Sequence, residues 1–129
     1  MVTAAAPTTF EQASRQATIA SISELAGFLQ EILSRRLTAY ISGVKDGKTV
    51  TRWASKEVTE IRDHETEQRL RTAYAIAHLL LSRGDSASTV KAWFIGLNPQ
   101  LGDISPAEAI HDGYLKEAMA AARAFIVGG

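Results

Sequence analysis

The strongest constraint on this chain is the spacing of its apolar residues, which recur with the period of a helix between clear start and stop signals. After Ser21 five apolar side chains follow at positions i, i+3, i+4, i+7 and i+8, and these are Leu25, Phe28, Leu29, Ile32 and Leu33. Alanine, the residue with the highest helix propensity, occurs 21 times among the 129 residues. No alternating apolar and polar stretch of useful length is present. The sequence therefore predicts an all-α fold.

Helix caps and breakers divide the sequence into a series of predicted helices. These span about residues 21–33, 36–42, 48–55, 64–81, 86–97, 105–113 and 114–127. Residues 1 to about 17 have little apolar periodicity, and despite a capping box at Thr9-x-x-Gln12 we expect them to be mobile or to depend on a partner. We divide the chain into a flexible or loosely helical arm (1–20), a helix-turn-helix-like helical region (21–84) and a small helical C-terminal region (85–129).

Charged residues balance over the whole chain, with 14 basic and 14 acidic side chains, but they are segregated along it. The stretch from Arg35 to Lys56 has six bases and one acid, and the next stretch, from Glu57 to Glu67, has five acids and one base. The basic stretch is suited to contacts with DNA phosphates, although a solvated surface of alternating charge is the simpler interpretation. The acidic stretch would repel DNA if it shared the same face.

The segment from Leu37 to Trp53 has the features of a helix-turn-helix. Ala39 is small enough for two helices to cross closely, Gly43 suits the turn, and Val44 and Val50 close the core. The second helix is expected to present groups that contact phosphates and base edges, namely Lys48, Thr49, Thr51, Arg52 and Lys56. The gap from Gly43 to Val50 is one residue longer than is usual for this motif, so a plain helical hairpin explains the segment equally well.

The residue types that carry catalysis are sparse in this chain. There is no cysteine, which excludes a disulfide, a thiol nucleophile and a thiolate zinc site. The three histidines, His64, His78 and His111, are never three or four residues apart, so no metal-ligand spacing arises. The carboxylates of the acidic stretch fit a solubilising or partner-binding face better than a catalytic pair. We therefore expect no enzyme activity, no metal and no cofactor.

The sequence also predicts where in the cell the protein is found. The first ten residues lack the basic and apolar segments of a signal peptide. No stretch approaches the roughly 20 apolar residues that a membrane span requires. We expect a cytoplasmic protein that does not bind membranes.

The C-terminal region is more apolar than a small helical core needs. Trp93 and Phe94 are followed by a helix break at Asn98-Pro99 and by Leu101. Burial inside the domain is the default expectation for such side chains. However, Phe125, Ile126 and Val127 stand just before Gly128-Gly129, whereas a terminus is usually polar and frayed. This apolar end is therefore predicted to dock into another molecule.

The motif Trp93-x4-Asn98-x7-Pro106-x-Glu108-x-Ile110-x-Asp112-Gly113, followed by a helix and Gly128, resembles the Xre/MbcA/ParS toxin-binding domain. The resemblance covers about a third of the chain, and a degenerate helix-turn-helix followed by a long helix is the usual companion in that family. It implies an antitoxin of a type II toxin-antitoxin module whose partner is a RES-domain toxin that degrades NAD. It also implies a homodimer or a hetero-oligomer with the toxin, and autoregulation of the operon through operator DNA.

By this resemblance, the C-terminal region covers the active-site cleft of the toxin. The residues expected to bind the toxin are Trp93, Phe94, Asn98, Leu101, Phe125, Ile126 and, through its terminal carboxylate, Gly129. Deletion of residues 125–129 is expected to abolish neutralisation and to leave the helical fold nearly intact. The alternative functions are a stand-alone helix-turn-helix transcriptional regulator and a plain helical adaptor.

Overall fold

The computed structural model describes residues 9–128, and within them every regular element is helical. The elements are α1 (Phe10–Ile19), α2 (Ile22–Leu33), α3 (Arg35–Ser42), α4 (Gly47–Ala54), α5 (His64–Ser82), α6 (Ala87–Ile95), a 3₁₀ helix (Pro99–Leu101), α7 (Pro106–His111) and α8 (Leu115–Gly128). No strand occurs in this range, and an isolated antiparallel bridge joins Asn98 to Ile104. The all-α prediction is confirmed.

Serine side chains begin the helices where the sequence predicted them. The backbone N–H of Glu24 donates to Oγ of Ser21 at 3.2 Å, and the N–H of Glu108 donates to Oγ of Ser105 at 3.0 Å. Ser86 caps α6 in the same way. These bonds satisfy N–H groups that have no acceptor within the first turn. The predicted helix starts are therefore correct to within a residue or two.

Helix α5 lies at the centre of the fold and packs against α1, α2, α3, α6, α7 and α8. Its Leu70, Ile76 and Leu80 expose no surface. One hydrophobic cluster encloses large side chains from the other helices, namely Leu25, Leu29, Leu33, Ile41, Val50, Val90, Phe94 and Ile110. The regions 21–84 and 85–129 of the sequence thus share one core.

Residues 10–19, which we assigned to a flexible or loosely helical arm, form a helix that packs on α5. Thr9 and Gln12 form a complete capping box, with bonds of 3.1 and 2.8 Å. Ala13 and Ala17 are buried, and their small side chains let the helix approach α5 closely. The sequence has little apolar periodicity here because alanines, and no larger residues, form the buried side. The expectation of mobility for residues 1–8 lies outside the described residues.

Arg71 of α5 holds the C-terminal end of α1. Its Nη1 donates to the carbonyl oxygens of Ala17 at 2.7 Å and of Ala20 at 2.8 Å, and its Nε pairs with Glu67 at 2.8 Å. The last carbonyls of a helix lack partners within the helix, and a cation is favourable at that end. Periodicity could not reveal this contact, because Arg71 and Ala17 are 54 positions apart.

Helices α3 and α4 pack against each other and are joined by the turn at residues 43–46. Gly43 has a φ of 89°, a conformation that favours glycine. Asp46 caps α4 by accepting from the N–H of Lys48 at 2.7 Å. The two helices and the turn are therefore present, and the specific helix-turn-helix arrangement stays a prediction.

In residues 9–128, none of the helices combines the length and the apolar character needed to cross a membrane.

Candidate functional site

Two adjacent aromatic residues of α6 lie in different environments. Phe94 is fully buried, as is Val90 one turn earlier on the same face. Trp93 is partly exposed, and its ring meets that of Phe94 edge-on with centroids 5.2 Å apart. Phe94, which was predicted to bind a toxin, is therefore a core residue here and is not available at the surface. Trp93 lies at the surface.

Helix α8 turns its alanines toward the core. Ala118, Ala121 and Ala122 expose at most 1% of their surface, whereas Phe125 and Ile126 are only half-buried. The close approach of the helix leaves the larger side chains at the edge of the contact. Consequently the bulkiest apolar groups of α8 remain accessible.

Arg83, which follows α5, fixes the end of α8 in place. Its Nη1 donates to the carbonyl oxygen of Ile126 at 3.3 Å, and its guanidinium lies 4.9 Å from the centroid of the Phe125 ring. Its Nε pairs with Asp85 at 2.9 Å. The Phe125 ring also lies 6.2 Å from that of Trp93. These contacts join α6 and α8 and hold the apolar end of the chain in one orientation.

We call the group formed by Trp93, Phe125, Ile126 and Val127 the C-terminal apolar surface. The first three are partly exposed, and Val127 exposes 88% of its surface. Three residues predicted to bind a toxin, namely Trp93, Phe125 and Ile126, are thus brought together. The sequence could not show this grouping, because Trp93 and Phe125 meet only through the packing of α6 and α8.

Leu101 and Asn98 lie apart from this surface. Leu101 lines a cleft of about 270 Å³ together with Tyr114 and Glu117, near the start of α8. Helix α8 has 14 residues, which corresponds to roughly 20 Å at 1.5 Å per residue, so this cleft and the C-terminal apolar surface lie at opposite ends of it. Asn98 caps the 3₁₀ helix by accepting from the N–H of Gln100 at 2.9 Å. Gly129 lies outside the described residues.

The residues predicted to contact DNA lie mainly on the outer side of α4. Lys48, Thr51, Arg52 and Lys56 are exposed, and Thr49 is half-buried. Arg52 lies 3.5 Å from the carboxylate of Glu57, so at least one acid of the following stretch shares this face. An ion pair as exposed as this one contributes little to stability, and Arg52 remains available to a stronger anionic partner.

The acidic stretch has a structural role at the start of α5. Asp63 caps this helix, accepting from the N–H of Glu65 at 3.0 Å and from the hydroxyl of Thr66 at 3.1 Å. These hydrogen bonds, with that of Thr66 foremost, lower the pKa of Asp63 below its ordinary value. Two of the five acids, Asp63 and Glu67, are thus engaged within the fold.

The histidines lie in three separate places. His64 begins α5, His78 packs beside Phe28 with ring centroids 5.4 Å apart, and His111 stacks on Tyr40. Among residues 9–128, no three histidine, cysteine or acidic residues are grouped as metal ligands would be.

Comparisons of the chain with protein-family models, with curated proteins and with solved structures gave no match. The resemblance to the Xre/MbcA/ParS toxin-binding domain therefore rests on the motif residues alone.

Proposed function

We propose that this chain is an antitoxin of a type II module, which neutralises a RES-domain toxin by covering its NAD-degrading active site with the C-terminal apolar surface. The antitoxin catalyses nothing in this proposal. It acts by occlusion, because a surface that fills the mouth of a catalytic cleft excludes the substrate.

The observation that carries the proposal is the partial exposure of Trp93, Phe125 and Ile126 beside Val127, which exposes 88% of its surface. Aromatic residues are the commonest energetic anchors of protein interfaces. Contiguous apolar groups at a surface are typical of sites that bind another protein. The motif from Trp93 to Gly113 supports a toxin as that protein, through the family resemblance.

The contacts of Arg83 add to this proposal. A binding surface that is already ordered loses less conformational entropy on association than a flexible tail does. Because Arg83 contacts both Phe125 and the backbone of Ile126, the C-terminal apolar surface is ordered before any partner binds. Deletion of residues 125–129 would also remove these internal contacts, so a loss of neutralisation in that variant would not separate the binding surface from the local structure of α8.

Point substitutions give a cleaner test than the deletion. The chain is co-expressed with a RES-domain protein encoded beside it, and the growth and NAD content of the cells are followed. We expect Trp93→Ala and Val127→Asp each to weaken toxin binding by about 30-fold or more, as hot-spot residues do. Cells carrying these variants should lose NAD and stop growing.

Ile19→Asp is the matched control, because Ile19 is 72% exposed but lies on α1, at the opposite end of the sequence. It should protect cells as the unchanged chain does. Full protection by Trp93→Ala and Val127→Asp would contradict the proposal, as would the absence of any RES-domain neighbour.

The exposed bases of α4 favour a second candidate function, sequence-specific binding of DNA. Lys48, Arg52 and Lys56 point away from the core at the end of the α3–α4 pair. Neutralising a phosphate contact weakens binding and reduces its salt dependence by about one counterion. Lys48→Ala and Arg52→Ala should each weaken binding to operator DNA and reduce its salt dependence. Lys91→Ala, at an exposed position of α6, should change neither. Equal DNA affinity of all three variants would exclude this role for α4.

A further inference from the structure

A cleft of about 590 Å³ lies between α3, the turn that follows it and the end of α7. We call it the α3–α7 cleft, and its principal lining residues are Arg36, Tyr40, Lys45, Asp46, Gly47 and His111. None of these residues belongs to the C-terminal apolar surface or to the predicted DNA-contacting set. The volume lies within the range of about 300–1,000 Å³ that is usual for small-molecule sites.

A stacked pair of rings forms one wall of the cleft. The rings of Tyr40 and His111 are 4.3 Å apart between centroids and only 5° from parallel. Nδ1 of His111 lies 2.6 Å from the carbonyl oxygen of Tyr40. Because a carbonyl can only accept, this nitrogen carries the proton and donates. The hydrogen bond fixes the imidazole ring, and Tyr40, which is 42% exposed, is held as a flat surface for stacking.

Two positive charges lie in the lining with this stack. Arg36 and Lys45 are exposed in the lining, and neither pairs with a carboxylate within residues 9–128. On the α7 side, the carboxylates of Glu108 and Asp112 act on Tyr40. Burial first, and then these two charges, raise the pKa of Tyr40 above its ordinary value. Its hydroxyl therefore stays protonated and can donate a hydrogen bond.

Asp46 is the one acid among the lining residues, and it is already engaged. Its carboxylate accepts from the N–H of Lys48 and caps α4. The lining thus offers two exposed cations and an aromatic stack. A ligand that matches this lining has an anionic group and a flat ring.

We propose that the α3–α7 cleft binds a nucleoside phosphate. The phosphate would contact Arg36 and Lys45, since charge-assisted hydrogen bonds to phosphate are the strongest of these contacts. The base would stack on Tyr40. This site joins α3 of the helix-turn-helix-like region to α7 of the C-terminal region.

Isothermal titration calorimetry of the full chain with three probes tests the proposal. Adenosine 5′-diphosphate supplies both groups, adenosine supplies the base alone, and inorganic phosphate supplies the anion alone. We expect the diphosphate to bind at least tenfold more tightly than either of the other two. Arg36→Gln should lower its affinity about tenfold toward that of adenosine and leave adenosine itself unchanged, whereas Tyr40→Leu should weaken both.

Arg15→Gln is the matched control, because Arg15 is an exposed arginine of α1 outside the cleft. It should leave all three affinities unchanged. Equal binding of inorganic phosphate and the diphosphate would overturn the proposal, because it would show a simple anion site. So would the absence of saturable binding at millimolar diphosphate, or an affinity that Arg36→Gln leaves intact. Tighter binding of a short single-stranded oligonucleotide than of the diphosphate would also overturn it, in favour of nucleic acid.

Discussion

The two end helices, α1 and α8, are held by the core in the same way but present different surfaces. Each packs on α5 through small side chains, and these are Ala13, Ala17 and Ala20 at the α1 end and Ala118, Ala121 and Ala122 on α8. Each has carbonyls near its C-terminal end that accept from an arginine, Arg71 for α1 and Arg83 for α8. Arg123 of α8 also lies 3.7 Å from the centroid of the Phe10 ring, so the two helices are linked.

The difference lies in the large apolar residues. Helix α1 exposes a single large aliphatic side chain, Ile19, whereas α8 ends in Phe125, Ile126 and Val127 at or near the surface. Alanine contacts bury little apolar area, and each buried methylene-sized group contributes only about 0.8 kcal/mol. Helix α1 has one comparable residue, the partly buried Phe10, whereas α8 ends in three apolar residues together, of which Val127 is 88% exposed, so the apolar end of α8 exceeds what α1 needs for its attachment. This excess is the structural argument for a partner.

The largest expected effect separates inner from outer aromatic residues in the C-terminal region. Phe94→Ala should lower the free energy of unfolding by about 3–5 kcal/mol, because it leaves a cavity in the shared core. Trp93→Ala should cost clearly less, since Trp93 is partly exposed. Urea unfolding followed by circular dichroism measures both. Equal losses would mean that Trp93 belongs to the core. The C-terminal apolar surface, in which Trp93 lies beside Phe125 of α8, would then lose an outer member, and the contrast between α8 and α1 would fail.

The next effect tests the attachment of α1. Arg71→Met should lower the free energy of unfolding by about 2–3 kcal/mol, because hydrogen bonds to a charged group are lost and the α1 carbonyls are left without a donor. Hydrogen exchange should rise throughout residues 10–19 and remain slow in α8. Arg62→Met, at an exposed position before α5, is the control and should change neither quantity. Unchanged exchange in α1 would show that its alanines suffice.

A smaller effect is expected at the corresponding arginine of α8. Arg83→Met removes one longer hydrogen bond, one cation–π contact and the ion pair with Asp85, which together should cost about 1–2 kcal/mol. The fluorescence of Trp93 should change, since Phe125 lies beside it, and exchange should rise in the last turn of α8 alone. If exchange rises along all of α8, Arg83 attaches the helix as Arg71 attaches α1, and the two ends do not differ in this respect.

The sequence predicted the helices well because their signals are local. Each signal depends only on residues close to it in the sequence. The structure confirms the N-cap serines, the turn at Gly43 and the buried stripe from Leu25 to Leu33. The prediction was least definite where the buried side of a helix is alanine. Residues 1–20 were described as a flexible or loosely helical arm, because alanine carries almost no periodic signal, and residues 10–19 form a helix. The helix predicted over 86–97 was too long at its end, because α6 ends at Ile95 and Leu97 is 76% exposed.

The candidate site was only partly predictable for a different reason. Trp93 and Phe125 meet across 32 positions of sequence, and Arg83 meets Ile126 across 43. Composition at the end of the chain identified the apolar residues but could not show which of them face outward. Thus Phe94 was predicted to bind a partner and lies in the core. The sequence shows Arg83-Gly84-Asp85 after a long helix, but it does not show that Arg83 contacts Phe125 and Ile126.

The smallest expected effect concerns the start of α5, the helix that carries both end helices, and it should not distinguish them. The pKa of Asp63 is lowered in the folded protein, chiefly by its hydrogen bond from Thr66. Its ionised form therefore stabilises the fold above the ordinary pKa of 3.8, and this stabilisation is lost as the pH falls through the lower, folded value. Urea unfolding between about pH 7 and about pH 3 should show the loss.

Asp63→Asn keeps a capping side chain and should reduce this pH dependence, while hydrogen exchange in α1 and α8 changes equally. An unequal change would show that the start of α5 supports one end helix more than the other.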